Sequence, residues 1–124
     1  MDTGRMSTSS TGVLVLLGAP LGNPEDASPR LASELARADV IAAEDTRRLQ
    51  RLLRELGVST SASITSYFEG NELGRTGSII EQLFDGSRVV VITDGGMPSV
   101  SDPGYRLVRA AVDAGVPVTA APGP

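Results

Sequence analysis

The feature that most constrains the fold of this chain is a regular alternation of short apolar runs with longer segments of helical periodicity. The apolar runs are rich in β-branched residues and indicate strands over residues 12–17, 40–43, 64–68, 89–92 and 116–120. Between them, apolar residues recur every three to four positions, as on one face of a helix. Because strands that alternate with helices favour parallel pairing, we predict an α/β fold: a five-stranded parallel sheet with helices on both faces.

Sequence patterns at the helix ends predict the bounds of the first two helices. Ser28 followed by Pro29 is typical of a helix start, and this helix is expected to run to about residue 38. The second helix is expected over residues 45–56, where four leucines share one side. Gly57 follows it and suits the left-handed conformation in which many helices end.

The last two helices have similar signals. Asn71 is predicted to cap the third helix, and the fourth is expected over residues 107–114, ending at Gly115. Ser101 and Asp102, before Pro103, also suit a helix start. The third helix is predicted to bury four apolar residues: Ile79, Ile80, Leu83 and Phe84.

The composition limits the chemistry that the chain can perform. It has 124 residues, no cysteine and no histidine, and all eleven basic residues are arginine. Disulfides, thiolate nucleophiles, cysteine-ligated metals and lysine Schiff bases are therefore excluded. The net charge of −4 does not indicate a general nucleic-acid binder, although a local basic strip remains compatible with that role.

The length suits one folded domain, which we place at residues 12–124, after a leader at residues 1–11 that we expect to be disordered. No apolar run is long enough to cross a bilayer and the first residues lack the apolar core of a signal peptide, so we expect a cytoplasmic protein. The chain stops at Pro-Gly-Pro directly after a predicted strand. We interpret it as the N-terminal part of a longer protein.

Two glycine- and proline-rich loops follow predicted central strands. Residues 18–24 follow the first strand and residues 93–105 follow the fourth. In open parallel sheets, ligands bind beyond the carboxyl ends of the strands, so these loops are candidate walls of a ligand site. The alternative is that residues 93–105 form only a stiff turn with helix caps.

Carboxylates and arginines follow the second predicted strand. Glu44 and Asp45 end that strand. The helix after them carries its arginines opposite or beside its leucines, and these form a basic ridge: Arg47, Arg48, Arg51 and Arg54. The ridge suits the phosphates of a polyanionic substrate. Two alternatives stay open: the ridge is only a solvated helix face, and Asp45 is only a helix cap.

Several motifs occur in the order seen in one known family. They are GAPLGN at 18–23, ADVIAAEDTR at 38–47, SY at 66–67 with NE at 71–72, TDGGMP at 93–98 with SDPGY at 101–105, and APGP at 121–124. By these motifs the chain resembles the N-terminal half of the ribosomal RNA small subunit methyltransferase I family, in the tetrapyrrole methylase superfamily. It departs at Met97, where the family more often has threonine, so the hydroxyl that a threonine side chain would offer to a cofactor is absent.

The resemblance implies a function. Members of the family use S-adenosylmethionine, bound between two α/β domains, to methylate the ribose 2′-hydroxyl of a cytidine in 16S ribosomal RNA. The implied partners are small-subunit ribosomal RNA or the 30S particle, and a second copy of the chain in a homodimer, with no metal and no membrane. Because the chain lacks His, Cys and Lys, a carboxylate is the strongest candidate base, and the matching position is Asp45, with Glu44 as the alternative.

The resemblance also implies cofactor contacts at matching positions: Pro20, Asp94, Gly95, Gly96, Met97, Ser101, Asp102 and Pro122. Two other functions share the alternating pattern. One is a methyltransferase acting on a carbon of a tetrapyrrole, which the arginine ridge does not favour. The other is a flavodoxin-like or receiver-like binding domain, but a receiver needs a late lysine that the chain lacks.

Overall fold

The computed structural model describes residues 11–19, 28–67, 70–94 and 103–121. Strands and helices alternate through this part of the chain, as predicted. In chain order the elements are β1 (Val13–Ala19), α1 (Pro29–Arg37), β2 (Val40–Ala43), α2 (Thr46–Leu56), β3 (Ser63–Ser66), α3 (Glu72–Phe84), β4 (Arg88–Asp94), α4 (Pro103–Asp113) and β5 (Val118–Ala121).

The strands form one parallel sheet in the order β3-β2-β4-β1-β5, which confirms the predicted fold class. The order places the long strands β1 and β4 side by side, with Val15 opposite Val90 and Ala19 opposite Asp94. The four residues of β2 are all buried, whereas those of β3 are exposed or half-buried because β3 lies at an edge of the sheet. The carboxyl ends of β2, β4 and β1 therefore lie next to one another.

Each face of the sheet carries its own hydrophobic core. On one face, leucines of α1 and α2 pack against residues that include Val15, Ile41 and Val90. On the other, residues of α3 and α4 pack against the alternate residues of the same strands. Side chains on neighbouring positions of a strand point to opposite faces, so a continuous apolar run supplies both cores.

Several element boundaries differ from the predictions. Strand β1 begins one residue later than predicted and continues to Ala19, while β4 extends through Thr93 and Asp94, which we had placed in the loop. Strand β5 begins at Val118, because Val116 lies buried in the turn before Pro117. Gly12 precedes β1, where a Cβ atom would overlap the carbonyl oxygen of Ser87 and only glycine fits.

Strand β3 is also displaced relative to the prediction. It spans Ser63–Ser66 instead of residues 64–68, and Phe68 lies outside the described residues. Tyr67, expected in a half-buried strand, is only 3% exposed. The reason is that Tyr67 belongs to the core beneath α3 and α4, although its backbone N–H still donates to the carbonyl of Ala43 in the sheet.

The predicted caps at Ser28 and Gly57 are confirmed, whereas the predicted capping bond of Asn71 is absent. Ser28 caps α1 through a bond from the N–H of Leu31, and Gly57 ends α2 with a φ of 69°. Asn71 occupies the N-cap position of α3, but its side chain makes no capping bond. Phe84 was wrongly assigned to the core: it is 48% exposed at the last residue of α3, where the helix leaves the sheet.

Candidate active site

The candidate active site lies at the carboxyl edge of the sheet. Helices α1 and α2 pack on one face and α3 and α4 on the other, so the chain leaves adjacent strands towards opposite faces. This divergence occurs at three neighbouring pairs, β3/β2, β2/β4 and β4/β1, and it opens crevices at the strand ends. The loops predicted to hold a cofactor start at Ala19 and Asp94, which are paired in the sheet.

Most of the predicted cofactor residues lie outside the described part of the chain. These are Pro20, Gly95, Gly96, Met97, Ser101, Asp102 and Pro122. The backbone of Asp94 is described and ends β4. Beside it, the hydroxyl of Thr93 donates to the carbonyl of Leu17, at 3.5 Å. The described residues thus fix where both loops begin.

Asp45 is the N-cap of α2. Its Oδ1 accepts the backbone N–H groups of Arg47, at 3.0 Å, and Arg48, at 3.1 Å. These bonds favour the ionised carboxylate, and the pKa of Asp45 is lowered, chiefly by the N–H of Arg48. Oδ2 accepts no hydrogen bond from the described residues. Asp45 is therefore an ionised, exposed carboxylate that has one oxygen left for a ligand.

Glu44 lies between β2 and the cap of α2, and it is exposed. It occupies the position next to Ala43, whose sheet partners are Ser66 of β3 and Ile92 of β4. The two predicted carboxylates are therefore neighbours at the carboxyl edge. Strands in a sheet are about 4.8 Å apart. Both carboxylates therefore lie roughly one strand spacing from the end of β4 and two strand spacings from the end of β1.

The arginine ridge lies on α2 as predicted. All four arginines, Arg47, Arg48, Arg51 and Arg54, are exposed, while Leu49 and Leu53 are buried on the side that faces the sheet. With a rise of about 1.5 Å per residue, the ridge extends for about 10 Å from Arg47 to Arg54. It begins two residues after Asp45, so a polyanion bound along it would reach the carboxylate.

Tyr67 is held by a chain of hydroxyl groups and is unsuited to acid–base work. The Thr76 hydroxyl donates its only proton to the carbonyl of Glu72, at 2.6 Å. The Tyr67 hydroxyl, 2.7 Å from the Thr76 oxygen, must then be the donor to it. Burial raises the pKa of Tyr67. Its proton is engaged and its anion is disfavoured, so Tyr67 is a structural residue.

The sequence did not reveal a buried carboxylate at the opposite edge of the sheet. Glu34 of α1 is 2% exposed and receives two 2.9 Å bonds from Arg88, the first residue of β4. Arg37 and Arg30 lie 3.4 and 3.5 Å away. The bonds from Arg88, and to a lesser extent the charges of Arg88 and Arg37, lower the pKa of Glu34. Because Arg88 begins β4, this cluster lies away from the carboxyl edge.

The described residues contain no group of three or more acidic side chains placed to hold a metal ion. Nor does any helix in the described ranges have the length and apolar character needed to cross a membrane.

Comparison with known proteins gives a consistent result. The sequence profile of the tetrapyrrole (corrin/porphyrin) methylases matches residues 13–124. A protein of Mycobacterium tuberculosis named ribosomal RNA small subunit methyltransferase I is 50% identical over 115 residues, which cover 93% of this chain and 40% of that protein. A protein of the same name from Halalkalibacterium halodurans is 40% identical and is covered to 38%. The chain thus spans about two fifths of these relatives.

Solved structures agree on the fold. Uroporphyrin-III-C-methyltransferase from Thermus thermophilus superposes with a TM-score of 0.69 at 21% identity, over 90% of this chain and 47% of that one. The methyltransferase CobJ superposes with a TM-score of 0.66 at 24% identity, over 91% of this chain and 46% of that one. At these identities the likeness concerns the fold alone.

Proposed function

This chain belongs to the tetrapyrrole methylase family, and we propose from its carboxyl-edge site that it forms the N-terminal part of a ribosomal RNA methyltransferase. The proposed reaction transfers a methyl group from S-adenosylmethionine to the ribose 2′-hydroxyl of a cytidine in 16S ribosomal RNA. The observation that carries the proposal is the placement of Asp45 and the arginine ridge on one helix, α2, whose first turn lies one strand from β4. The names of the relatives support the RNA substrate.

We assign the cofactor to the crevice beside β1 and β4. Gly18 and Ala19 are small, so a ligand can approach the end of β1 closely. Asp94 lies opposite Ala19, and an aspartate at a strand end suits the hydroxyl or amino groups of a nucleoside. When bound, S-adenosylmethionine supplies a methyl group on a positively charged sulfur. It would be held by the backbone at 94–97 and by Pro20, with Ser101, Asp102 and Pro122 shaping the pocket.

In the proposed mechanism the arginine ridge binds RNA phosphates and orients the nucleotide. Arg47 and Arg51 neutralise the backbone, and the ribose then lies over the N-terminus of α2. Oδ1 of Asp45 would stay bonded to the two backbone N–H groups, while Oδ2 would accept the proton of the 2′-hydroxyl whose oxygen receives the methyl group. The capping bonds thus fix the orientation of the carboxylate and keep it ionised. Glu44 is the alternative base.

Two further parts of the proposal rest on the resemblance. We propose that the enzyme acts in the cytoplasm on the RNA or on the 30S particle, and that two copies form a homodimer. Light scattering of a chain with the full length of its relatives would give the oligomeric state. A monomer at all concentrations would contradict the homodimer.

The proposed function is tested by ligand binding and methyl transfer. We expect S-adenosylhomocysteine to bind, measured by calorimetry, and flavin mononucleotide not to bind; the reverse would indicate a flavodoxin-like domain. Radiolabelled methyl transfer should then be compared on 30S particles, on naked 16S RNA and on uroporphyrinogen. Transfer to the tetrapyrrole and not to RNA would contradict the RNA proposal while leaving the cofactor intact.

A further inference from the structure

Ser66 and Asn71 form a hydrogen-bonded pair at the carboxyl end of β3. Nδ2 of Asn71 donates to the carbonyl oxygen of Ser66, at 3.2 Å, and to its Oγ, at 3.3 Å. The side chain that the sequence predicts as a cap of α3 is therefore turned back over the end of β3. Both residues are half-buried.

The Ser66 hydroxyl is held in place with its proton unused. Its oxygen accepts from Asn71, and the hydroxyl donates to no acceptor in the described ranges. A serine hydroxyl has one proton to donate and two lone pairs to accept with. In Ser66, one lone pair is occupied and the proton remains available for a ligand.

Ser66 lies near the candidate base, on the face of the sheet that α2 covers. Ser66 pairs with Ala43, the residue before Glu44, so it lies about one strand spacing from the carboxylates. Alternation along β3 places Ser66 on the same face as Ile64, which packs in the core under α1 and α2. Ser66 therefore lies on the same face of the sheet as α2, near the helix end that carries Asp45.

We propose that Ser66, oriented by Asn71, contacts the sugar-phosphate backbone of the substrate next to the nucleotide that is methylated. This inference rests on the proposed function and names a contact of the same site. Along the sheet edge the order is β3, β2, β4, β1, with the cofactor assigned to β4 and β1 and the base to β2. The reacting 2′-hydroxyl then lies between the base and the cofactor, and an adjoining nucleotide that extends past β2 reaches β3, where the hydroxyl of Ser66 can donate to a phosphate or ribose oxygen.

The absence of cysteine makes a proximity test direct. Ser66→Cys introduces the only thiol of the chain, and Ser63→Cys, at the exposed first residue of the same strand, is the matched control. The probes are 16S RNA oligonucleotides, each with one cytidine whose 2′-linked thiol is activated as a mixed disulfide with thiopyridine, so that attack by the cysteine thiolate releases thiopyridone. We expect one probe to form a disulfide with the Ser66→Cys protein about tenfold faster than with the Ser63→Cys protein. Equal rates for every probe would overturn the inference.

A binding experiment separates this inference from the proposed function. RNA affinity is measured by fluorescence anisotropy for the wild type, Ser66→Ala and the control Ser63→Ala. Loss of one hydrogen bond to a charged phosphate predicts about tenfold weaker binding for Ser66→Ala alone, with an unchanged melting temperature. Wild-type binding that Ser66→Ala leaves unaltered would overturn only the inference. A wild-type chain without RNA affinity would overturn the proposed function and this contact with it.

Discussion

At the scale of single residues, the capping bonds of Asp45 decide how its two proposed roles can be separated. A cap needs only an acceptor oxygen near the N–H groups of Arg47 and Arg48, whereas a base needs a negative charge. Asn retains the oxygen and removes the charge. The substitution Asp45→Asn therefore distinguishes the two roles.

We expect Asp45→Asn, in a chain with the full length of its relatives, to lower kcat by about 100-fold or more while the melting temperature changes little. Single-turnover methyl transfer with saturating cofactor measures the chemical step. Glu44→Gln serves as the control. Near-normal turnover in Asp45→Asn with a large loss in Glu44→Gln would assign the base to Glu44. No loss in either variant would show that neither carboxylate is the base.

The same scale includes the buried ion pair of Glu34 with Arg88. Arg88→Ala removes the two 2.9 Å bonds to the buried Glu34 carboxylate and leaves it only the longer contacts of Arg30 and Arg37, so the free energy of unfolding should fall by about 2 kcal/mol or more. Arg37→Ala is the control, because Arg37 is largely exposed and exposed pairs contribute about 1 kcal/mol or less. Urea unfolding measures both, and equal losses would show that burial does not strengthen the Arg88 pair.

The stability difference between the wild type and Arg88→Ala should depend on pH. Its pH dependence follows from the pKa of Glu34, which is lowered from its ordinary value of 4.5. A lowered pKa stabilises the folded protein above the unfolded-state pKa, and this contribution is lost as the pH falls through the folded-state pKa. We therefore expect the difference between wild type and Arg88→Ala to be constant near neutral pH and to shrink below about pH 4. A difference that grows in acid would contradict this assignment.

At the scale of elements, helix α2 carries the predicted interaction with RNA. The variant Arg47→Ala/Arg51→Ala removes two exposed charges of the ridge. It should weaken RNA binding by the same factor for every RNA sequence, because phosphates are present in all of them. The slope of log K against log salt should fall by about 2, one for each lost phosphate contact. Cofactor affinity should stay unchanged because the ridge lies on the outer side of α2.

The control for the ridge is Arg37→Ala/Arg109→Ala, which changes the net charge equally but lies on α1 and α4. Its salt slope should match that of the wild type. If both double variants lower the slope equally, binding depends on net charge, and α2 is only a solvated face.

Elements also show how far the sequence determines the structure. The core strands and α2 follow from local patterns: β-branched runs for the strands, and leucine periodicity with Asp45 and Gly57 at the ends for the helix. Asn71 takes the predicted N-cap position, but its side chain bonds to Ser66 instead of α3, because the two residues become neighbours only when β3 ends beside α3. Glu34 was missed for a similar reason, since Arg88 is 54 residues away in sequence.

The candidate site was predictable in position and less so in detail. A carboxylate pair before an arginine-rich helix, at the end of a strand, is a local pattern, and the sheet order then placed it beside β4. The hydrogen bonds that orient Asp45 and Ser66 depend on backbone geometry at strand and helix ends. Those distances follow from packing between elements and have no signature in a single segment.

At the scale of the whole molecule, the two core clusters indicate that the chain can fold by itself. Both faces of the central strands are covered by helices, and the residues in the cores come from all nine elements or their flanks. Cooperative unfolding is therefore expected, with coincident transitions in circular dichroism and in the fluorescence of the two tyrosines. Transitions at different denaturant concentrations would indicate that the two cores unfold separately.

Catalysis is expected to need a second domain in addition to this one. The curated relatives are more than twice as long as the matched region, and the family resemblance implies a cofactor bound between two α/β domains, of which this chain supplies one. Without a second wall the cofactor stays in contact with water, and its methyl group is not held in line with the hydroxyl. Alignment of two reactants contributes several kcal/mol to catalysis, on the order of 7 in favourable cases.

We therefore expect residues 1–124 to bind S-adenosylhomocysteine at least about tenfold more weakly than a fusion of this chain to the remaining part of the Mycobacterium tuberculosis relative, and to transfer no methyl group to RNA. Calorimetry and radiolabel transfer on the two proteins, side by side, measure both effects. The ridge lies wholly on α2, so RNA affinity should differ less between them than cofactor affinity does. Equal methyl transfer by the short chain would mean that the loops beginning at Ala19 and Asp94 enclose the cofactor without a second domain.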